Sequence, residues 1–255
     1  MRAILFDLDG VFYVGEQPLP GAASVMAWVR EAGIPHAFVT NTSSRPRGAL
    51  VEKLARFGLE VSAEEIFTPA RAARDWLLAE GRSPVALFVP EGTRMDFDGL
   101  AVADSEAVQA LVVGDLGEAW HFATLNRAFR LLMAGPDVAL VALGMTRYWQ
   151  APDGLRLDVG PFVSALAYAA ERKPVVCGKP SPAFFHAACA ALGVPPAECL
   201  MIGDDIRGDI AGAQAAGLRA ALVRTGKFRP ADLEGDVRPD AVLDSIADLP
   251  ARWPG

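Results

Sequence analysis

Two carboxylates stand one residue apart near the start of the chain: Asp7 and Asp9 in ILFDLDGVFY, directly after an apolar run. Acids so placed repel each other and lose solvation, so something must compensate, and a cation is the obvious candidate. Other reactive types also follow apolar runs. Thr40 and Asn41 follow PHAFV, with Thr42 and Ser43 behind them; Lys179 follows VVCG; Asp204 and Asp205 follow CLMIG, with Asp209 further on. Asp7 and Asp204 offer hard oxygens of the kind Mg2+ takes alongside phosphate oxygens and water. Thr40 and Asn41 offer a hydroxyl and an amide to phosphate oxygens, and Lys179 is a point charge for an anion. Together these make an inventory for phosphoryl transfer. One of the paired aspartates would be a carboxylate nucleophile. The other, two residues on, would give a proton to the leaving group.

These residues must be brought to one place, and the pattern of elements says how. AILFDLD reads as a strand, PGAASVMAWVREAG as a helix, PHAFVTNT as a strand, RPRGALVEKLARFG and EEIFTPARAARDWLLAEG as helices. After Lys173 the rhythm resumes with VVCGKP, SPAFFHAACAALG, CLMIGDD, GDIAGAQAAG and RAALVRTG, and the tail holds a last strand and short helix. Strand followed by helix, repeated, predicts an α/β fold with a doubly wound parallel sheet. Ligands of such a sheet bind beyond the carboxyl ends of its strands, where every residue named above falls. The middle is less regular. PVALFVP, ALVVGDL and VALVALGM read as strands, and TRYWQAPDGLRLDVGP as a hairpin or loop turning at Asp153-Gly154. The simplest organisation is a Rossmann-like core from residues 1–78 and 174–255, with a second α/β domain inserted at 79–173.

Bulk properties narrow the partners. The chain has 255 residues, net charge -7 and 22% charged residues. That balance speaks against nucleic acid or an anionic membrane as partner, since both need a basic face. No apolar run is long enough for a spanning helix, and no secretory leader is expected, because Asp7 precedes any apolar run of sufficient length. Three cysteines without a CxxC pair, Cys177, Cys189 and Cys199, fit a reducing cytoplasm. Cys177 lies two residues before Lys179, so its oxidation would disturb the site. His36, His121 and His186 show no paired ligand spacing and are expected in structural or surface roles. Tyr148 and Trp149 are expected to pack within the inserted domain, with substrate contact as the alternative. Arg147 is a candidate to meet an anionic substrate, and Arg45 and Arg47 either line the entrance or sit in solvent. No GxGxxG or Walker sequence occurs.

DLDG, VTNT, GKPS and GDDIRGD, in this order and at wide spacing, resemble the motifs of the haloacid dehalogenase superfamily of phosphatases. The insertion between VTNT and GKP resembles the large cap of its NagD-like branch, as do DGVFYVGEQPLPGA and NTSSRPR. GMTRYWQAPDGLRLDVGPFVSALAYA, GKPSPAFF, MIGDDIRGDIAGAQAAGLRA and VRTGKFRP are similar to branch members that hydrolyse pyrophosphate and N-phosphorylated lysine or histidine. The resemblance implies that Asp7 is the nucleophile, forming an aspartyl phosphate, and Asp9 the general acid and base. It implies Mg2+ held by Asp7, Asp204 and the backbone carbonyl of Asp9. Thr40, with Asn41 beside it, would bind phosphate; Lys179 would neutralise the phosphoryl group and restrain Asp7; Asp205 and Asp209 would support the ligands or orient the lysine. Relatives that pair through their caps make a homodimer the expected assembly.

Three functions remain open on these residues. The first is a Mg2+-dependent phosphohydrolase of a small phosphorylated molecule, whether pyrophosphate, a phosphoramidate, a nucleotide, a sugar phosphate or phosphoglycolate. The second is a phosphate-responsive binding module of the receiver type, against which Asp9 speaks by supplying a means of turnover. The third is phosphoryl transfer to an acceptor other than water.

Overall fold

The computed structural model describes residues 1–42, 46–103, 105, 107–151 and 153–253, with the backbone alone for Gln150 and Ala151. Ser43 and Arg45 lie outside the described residues. The chain divides into two compact units, Met1–Thr40 with Gly48–Phe67 and Lys179–Gly255, and Asn41–Arg47 with Thr68–Gly178.

The first unit is built on a six-stranded sheet, all parallel, in the order Ala241–Leu243, Arg219–Val223, Cys199–Gly203, Ala3–Phe6, His36–Val39, Ile66–Phe67. Ala3–Phe6 is buried along its whole length, which is why AILF is continuously apolar rather than alternating. From this strand the chain first builds outward through His36–Val39 and then returns to build the other side through Cys199–Gly203. The order therefore reverses between Ala3–Phe6 and Cys199–Gly203, and a parallel sheet opens a crevice at the carboxyl end of such a point. The helix Ala22–Glu31 buries Ala22, Val25, Met26 and Val29, the spacing of a single face. The helix Arg47–Arg56 buries Leu50, Lys53 and Leu54. Phe6, Phe12 and Phe38 form the aromatic centre of the core, with ring centroids 5.3 to 6.0 Å apart.

Three local differences from the sequence expectations have physical causes. EEIFTPARAARDWLLAEG is not one helix. It splits into a 3-10 turn Ala63–Glu65, the edge strand Ile66–Phe67 and the helix Pro69–Ala79. Pro69 has no N–H to give and its ring excludes an upstream helical turn, so the helix starts there with Thr68 as its cap, accepting from the Arg71 N–H. That helix belongs to the second unit, which begins upstream of residue 79. GDIAGAQAAG opens as a π-helix, Ile206–Ala211, before the short α-helix Gly212–Ala215. Finally, Tyr13–Val14 and Gln17–Pro18 form a separate two-stranded hairpin just after Asp9.

The second unit holds a four-stranded parallel sheet, Val175–Val176, Ala139–Ala142, Ala110–Val113 and Val85–Phe88 in that order. Helices Phe122–Met133 and Val159–Ala170 pack on it. Trp120 stacks between Phe88 and Phe162, and its indole N–H reaches the Gly114 carbonyl at 3.0 Å. Tyr148–Ala151 and Gly154–Leu157 form an antiparallel hairpin. Its Tyr148 and Trp149 are 51% and 43% exposed, so the packing expected of them is not found within this unit. A hairpin of two strands has faces that no second layer of its own covers. Arg47 pairs with the buried Asp96 at 2.7 Å.

Phe38 is fully buried against Phe6, Phe12 and His36. Phe38→Ala is expected to lower the unfolding free energy by about 3–5 kcal/mol, measured as a shift of the urea midpoint. A shift worth less than about 1 kcal/mol would show that the first unit does not lean on this aromatic cluster.

Candidate active site

Asp7 extends the Ala3–Phe6 strand by one residue, its N–H bonded to the Ile202 carbonyl at 2.8 Å. Asp204 follows the neighbouring strand Cys199–Gly203, and Thr40 follows His36–Val39 on the other side. All three side chains are buried. Lys179 enters the same place from far along the chain. Its Nζ lies 2.7 Å from an Asp7 oxygen and 2.7 Å from an Asp209 oxygen, and donates to the Val39 carbonyl at 3.3 Å. The Lys179 side chain is 5% exposed.

Asp209 reaches this lysine because of the π-helical turn. The Ile210 N–H bonds the carbonyl five residues back, on Asp205, at 3.2 Å. Such wide turns recur where a functional side chain must be re-aimed. Asp209 also accepts from the Asp205 N–H at 3.2 Å. Asp205 itself caps the turn, accepting from the Arg207 and Gly208 N–H groups at 3.0 and 2.8 Å, and lies 3.4 Å from the Lys227 ammonium.

Asp7, Asp204 and Asp209 offer oxygens within 4.8 Å of one another, and among the described residues they are the group suited to hold a metal ion. The fit to Mg2+ can be tested on the oxygens themselves. Asp209 is committed to Lys179. Asp204 gives one oxygen to the Lys227 N–H at 2.7 Å, while its Oδ1 is buried without a hydrogen-bond partner among the described residues. A buried carboxylate oxygen left so is costly unless a cation meets it. Three buried carboxylates share one buried ammonium, so acids are in excess there even with Lys227 opposing the charge of Asp7 and Asp204. Hard oxygens, an orphaned one among them, and an excess of acids fit a divalent ion such as Mg2+.

Burial dominates the electrostatics. It pushes the Asp7 carboxyl up, Asp204 adds to the rise, and Lys179 opposes it only in part. Burial raises Asp204 to about 6 and Asp209 to about 7. Burial alone would lower Lys179, but Asp209 and Asp7 hold it above the ordinary lysine range. Burial would raise Asp205 too, yet the Gly208 N–H, Lys227 and the Arg207 N–H hold it below the usual carboxylate range.

Close approach of backbone shapes the rest. Gly10 has φ +85°, and a Cβ there would lie 1.9 Å from Asp204 Oδ2. Gly226, at φ +63°, would place one 2.1 Å from the same oxygen. The Thr225 hydroxyl donates to the Gly10 carbonyl. The loop Thr225–Lys227 therefore lies directly over Gly10 and Asp204, a role that sequence did not assign to it. The available signal was its place after Arg219–Val223, at the same edge of the sheet.

Two expected residues are less buried than these. Asp9 is exposed, in the turn leading to Tyr13, with which it forms a bridge. Asn41 belongs to the second unit, where a Cβ on Gly178 would lie 3.0 Å from its Oδ1. Cys177 is buried, and burial pushes its thiol up to about 12, which disfavours the thiolate. The histidines make local contacts: His36 with Ile34 and Glu65, His121 as the cap of Phe122–Met133, His186 with the Ala216 carbonyl.

Comparison with known proteins places this geometry. The model of haloacid dehalogenase-like hydrolases matches residues 4–103, and a HAD-hydrolase-like model matches residues 176–249. The human phospholysine phosphohistidine inorganic pyrophosphate phosphatase is 39% identical over 253 residues, covering 97% of this chain and 92% of the relative. The Bos taurus haloacid dehalogenase-like hydrolase domain-containing protein 2 is 40% identical over 243 residues, covering 95% and 91%. Among solved structures, the p-nitrophenyl phosphatase from Archaeoglobus fulgidus superposes with TM-score 0.90 at 30% identity, covering 98% of each chain. NagD from E. coli K-12, at 23% identity and TM-score 0.88, shares the fold. The chain belongs to the haloacid dehalogenase-like hydrolases and is a phosphatase. Among the described residues no helix is long and apolar enough to cross a membrane.

The raised acids make the metal-free protein sensitive to pH. A carboxyl whose folded pKa exceeds its unfolded value binds its proton more tightly when folded, so stability falls as pH rises through the interval between them. For Asp204 and Asp209 that interval runs from 3.8 to about 6 and about 7. In the presence of a chelator, Asp204→Asn is expected to be more stable than wild type at pH 8, by on the order of 3 kcal/mol. The difference should vanish towards pH 4. Urea unfolding of both proteins across pH checks it, and a constant difference at all pH values would contradict the burial argument.

Proposed function

We propose that this phosphatase is a Mg2+-dependent phosphohydrolase that works through an aspartyl phosphate on Asp7. The observation that carries the proposal is the buried Lys179 ammonium, 2.7 Å from both Asp7 and Asp209, with Asp204 alongside. A carboxylate nucleophile must be held still and kept from repelling an incoming phosphate, and this lysine does both. An Asp7 oxygen attacks phosphorus, the bond from phosphorus to the leaving group breaks, and Asp9 gives that group its proton. Water then attacks the acyl phosphate, Asp9 takes the proton, and phosphate leaves with Asp7 restored. The exposure of Asp9 suits it to meet both leaving group and water. Thr40 and Asn41 donate to the phosphoryl oxygens. Asp7 and Asp204, with the Asp9 backbone carbonyl, would hold Mg2+, whose charge would offset that of the phosphoryl oxygens. Asp205 and Asp209 keep the turn and the lysine in place.

For the substrate, the human relative's name supports pyrophosphate and N-phosphorylated lysine or histidine. The p-nitrophenyl phosphatases among the structural neighbours support a broader taste for phosphate monoesters, with nucleotides, sugar phosphates or phosphoglycolate as physiological candidates. The second unit is proposed as the cap that selects among these, and the free cysteines support a cytoplasmic location.

Phosphate release should be measured with and without Mg2+ on p-nitrophenyl phosphate, pyrophosphate, phosphohistidine, phospholysine, nucleotide monophosphates and phosphoglycolate. Wild type is expected to turn over only with the metal, and Asp7→Asn to lose at least about a thousandfold. An Asp7→Asn variant of full activity would sink the mechanism, while a stable phosphoprotein without phosphate release would favour a binding module.

A further inference from the structure

The helix Arg47–Arg56 carries a lysine on its buried face. Lys53 lies between Leu50 and Leu54 and is 7% exposed. An ammonium in that position is costly unless fully paired, and an apolar side chain would pack there with less penalty. Its partners show what the charge secures. Nζ donates to the Gly15 carbonyl at 2.7 Å and lies 3.2 Å from the Glu16 carboxylate. It stands 4.1 Å from the centroid of the Tyr13 ring, with the Phe57 ring at 5.8 Å. Tyr13 and Phe57 themselves are in contact, 5.5 Å apart.

Of these partners, Tyr13, Gly15 and Glu16 all lie on the hairpin Tyr13–Val14 and Gln17–Pro18. Two strands alone are not stable in water, and Val14, Gln17 and Pro18 are exposed, so the hairpin needs an anchor. Lys53 supplies one, gripping the turn through Gly15 and Glu16 and the base through the Tyr13 face. That base is also where the loop bearing Asp9 ends. The Gly10 N–H bonds the Tyr13 carbonyl at 2.7 Å, and Asp9 forms its bridge with Tyr13. The backbone around Asp9 is thus referred to Tyr13, and Tyr13 to Lys53.

We propose that Lys53 is a positioning residue for Asp9, holding the hairpin so that the Asp9 carboxyl meets the leaving group. This rests on the role proposed for Asp9 above. It makes a prediction that simple loss of stability does not. A poor leaving group such as an alkoxide needs the proton, whereas p-nitrophenolate departs largely without it. Misplacing Asp9 should therefore hurt selectively.

The test compares kcat/KM for an alkyl phosphate and for p-nitrophenyl phosphate in wild type, Lys53→Met, Lys53→Arg and Asp9→Asn, since kcat/KM reports the step in which the leaving group departs. Lys53→Met is expected to lose about tenfold or more on the alkyl phosphate and at most about threefold on p-nitrophenyl phosphate. Lys53→Arg should recover most of the loss, and Asp9→Asn should show the same selectivity more steeply. Equal losses on both substrates in Lys53→Met, with Asp9→Asn still selective, would overturn the role of Lys53 and leave that of Asp9 standing. An Asp9→Asn variant indifferent to the leaving group would overturn the role of Asp9, and this inference with it. Should Lys53→Met fail to fold, Tyr13→Leu removes the ring face beneath the ammonium and must show the same selective loss.

Discussion

One buried ammonium between two carboxylates organises the first unit of this protein. Lys179 and Asp7 are 172 residues apart in sequence and 2.7 Å apart in space. Neither charge would be tolerable there alone, since an unpaired buried ion is far costlier than a buried pair. The strand bearing Asp7, the segment bearing Lys179 and the turn bearing Asp209 are thereby held to one arrangement. The arrangement is also unfinished. Its acids outnumber its buried ammonium, and Asp204 Oδ1 has no hydrogen-bond partner among the described residues. Stability is given up where buried acids stand in excess of their cation, a trade expected of functional sites.

Backbone contact does what side chains cannot in so crowded a space. Gly10 and Gly226 approach Asp204 so closely that any Cβ would collide with its carboxylate. The loop Thr225–Lys227 lies against Gly10 and Asp204 and fixes one Asp204 oxygen through a main-chain N–H, while Asp204 Oδ1 is buried without a hydrogen-bond partner among the described residues. The order of strands explains why these pieces meet. Segments from the two ends of the chain flank one crevice because the winding reverses beside Ala3–Phe6.

Beyond the crevice, Lys53 extends the same logic of costly charges placed for geometry. Its neighbours on the helix are leucines, and its partners are on a hairpin too short to hold itself. A lysine in a leucine stripe breaks the helix periodicity visibly, yet the pattern alone reads as a solvated residue at the margin of a face.

Sequence alone determined the fold class and the residues of the buried cluster. Asp7, Thr40, Lys179 and Asp204 follow apolar runs that are buried strands or loops leading from them, and strand ends at one edge of a parallel sheet converge by necessity. Asp9 sat in the same motif, but its exposure was not readable from spacing, because solvent access is set by how the turn after Asp7 packs, with Gly10 close against Asp204. Local chemistry misled where a proline overruled a helical pattern, at Thr68-Pro69, and so the edge strand Ile66–Phe67 was missed. Tertiary structure decided which acid holds the lysine, since a π-helical turn re-aims Asp209 and no spacing announces it. It also decided the parts played by Lys227 and Lys53. Both depend on contacts between segments distant in sequence, which only the packed chain brings together.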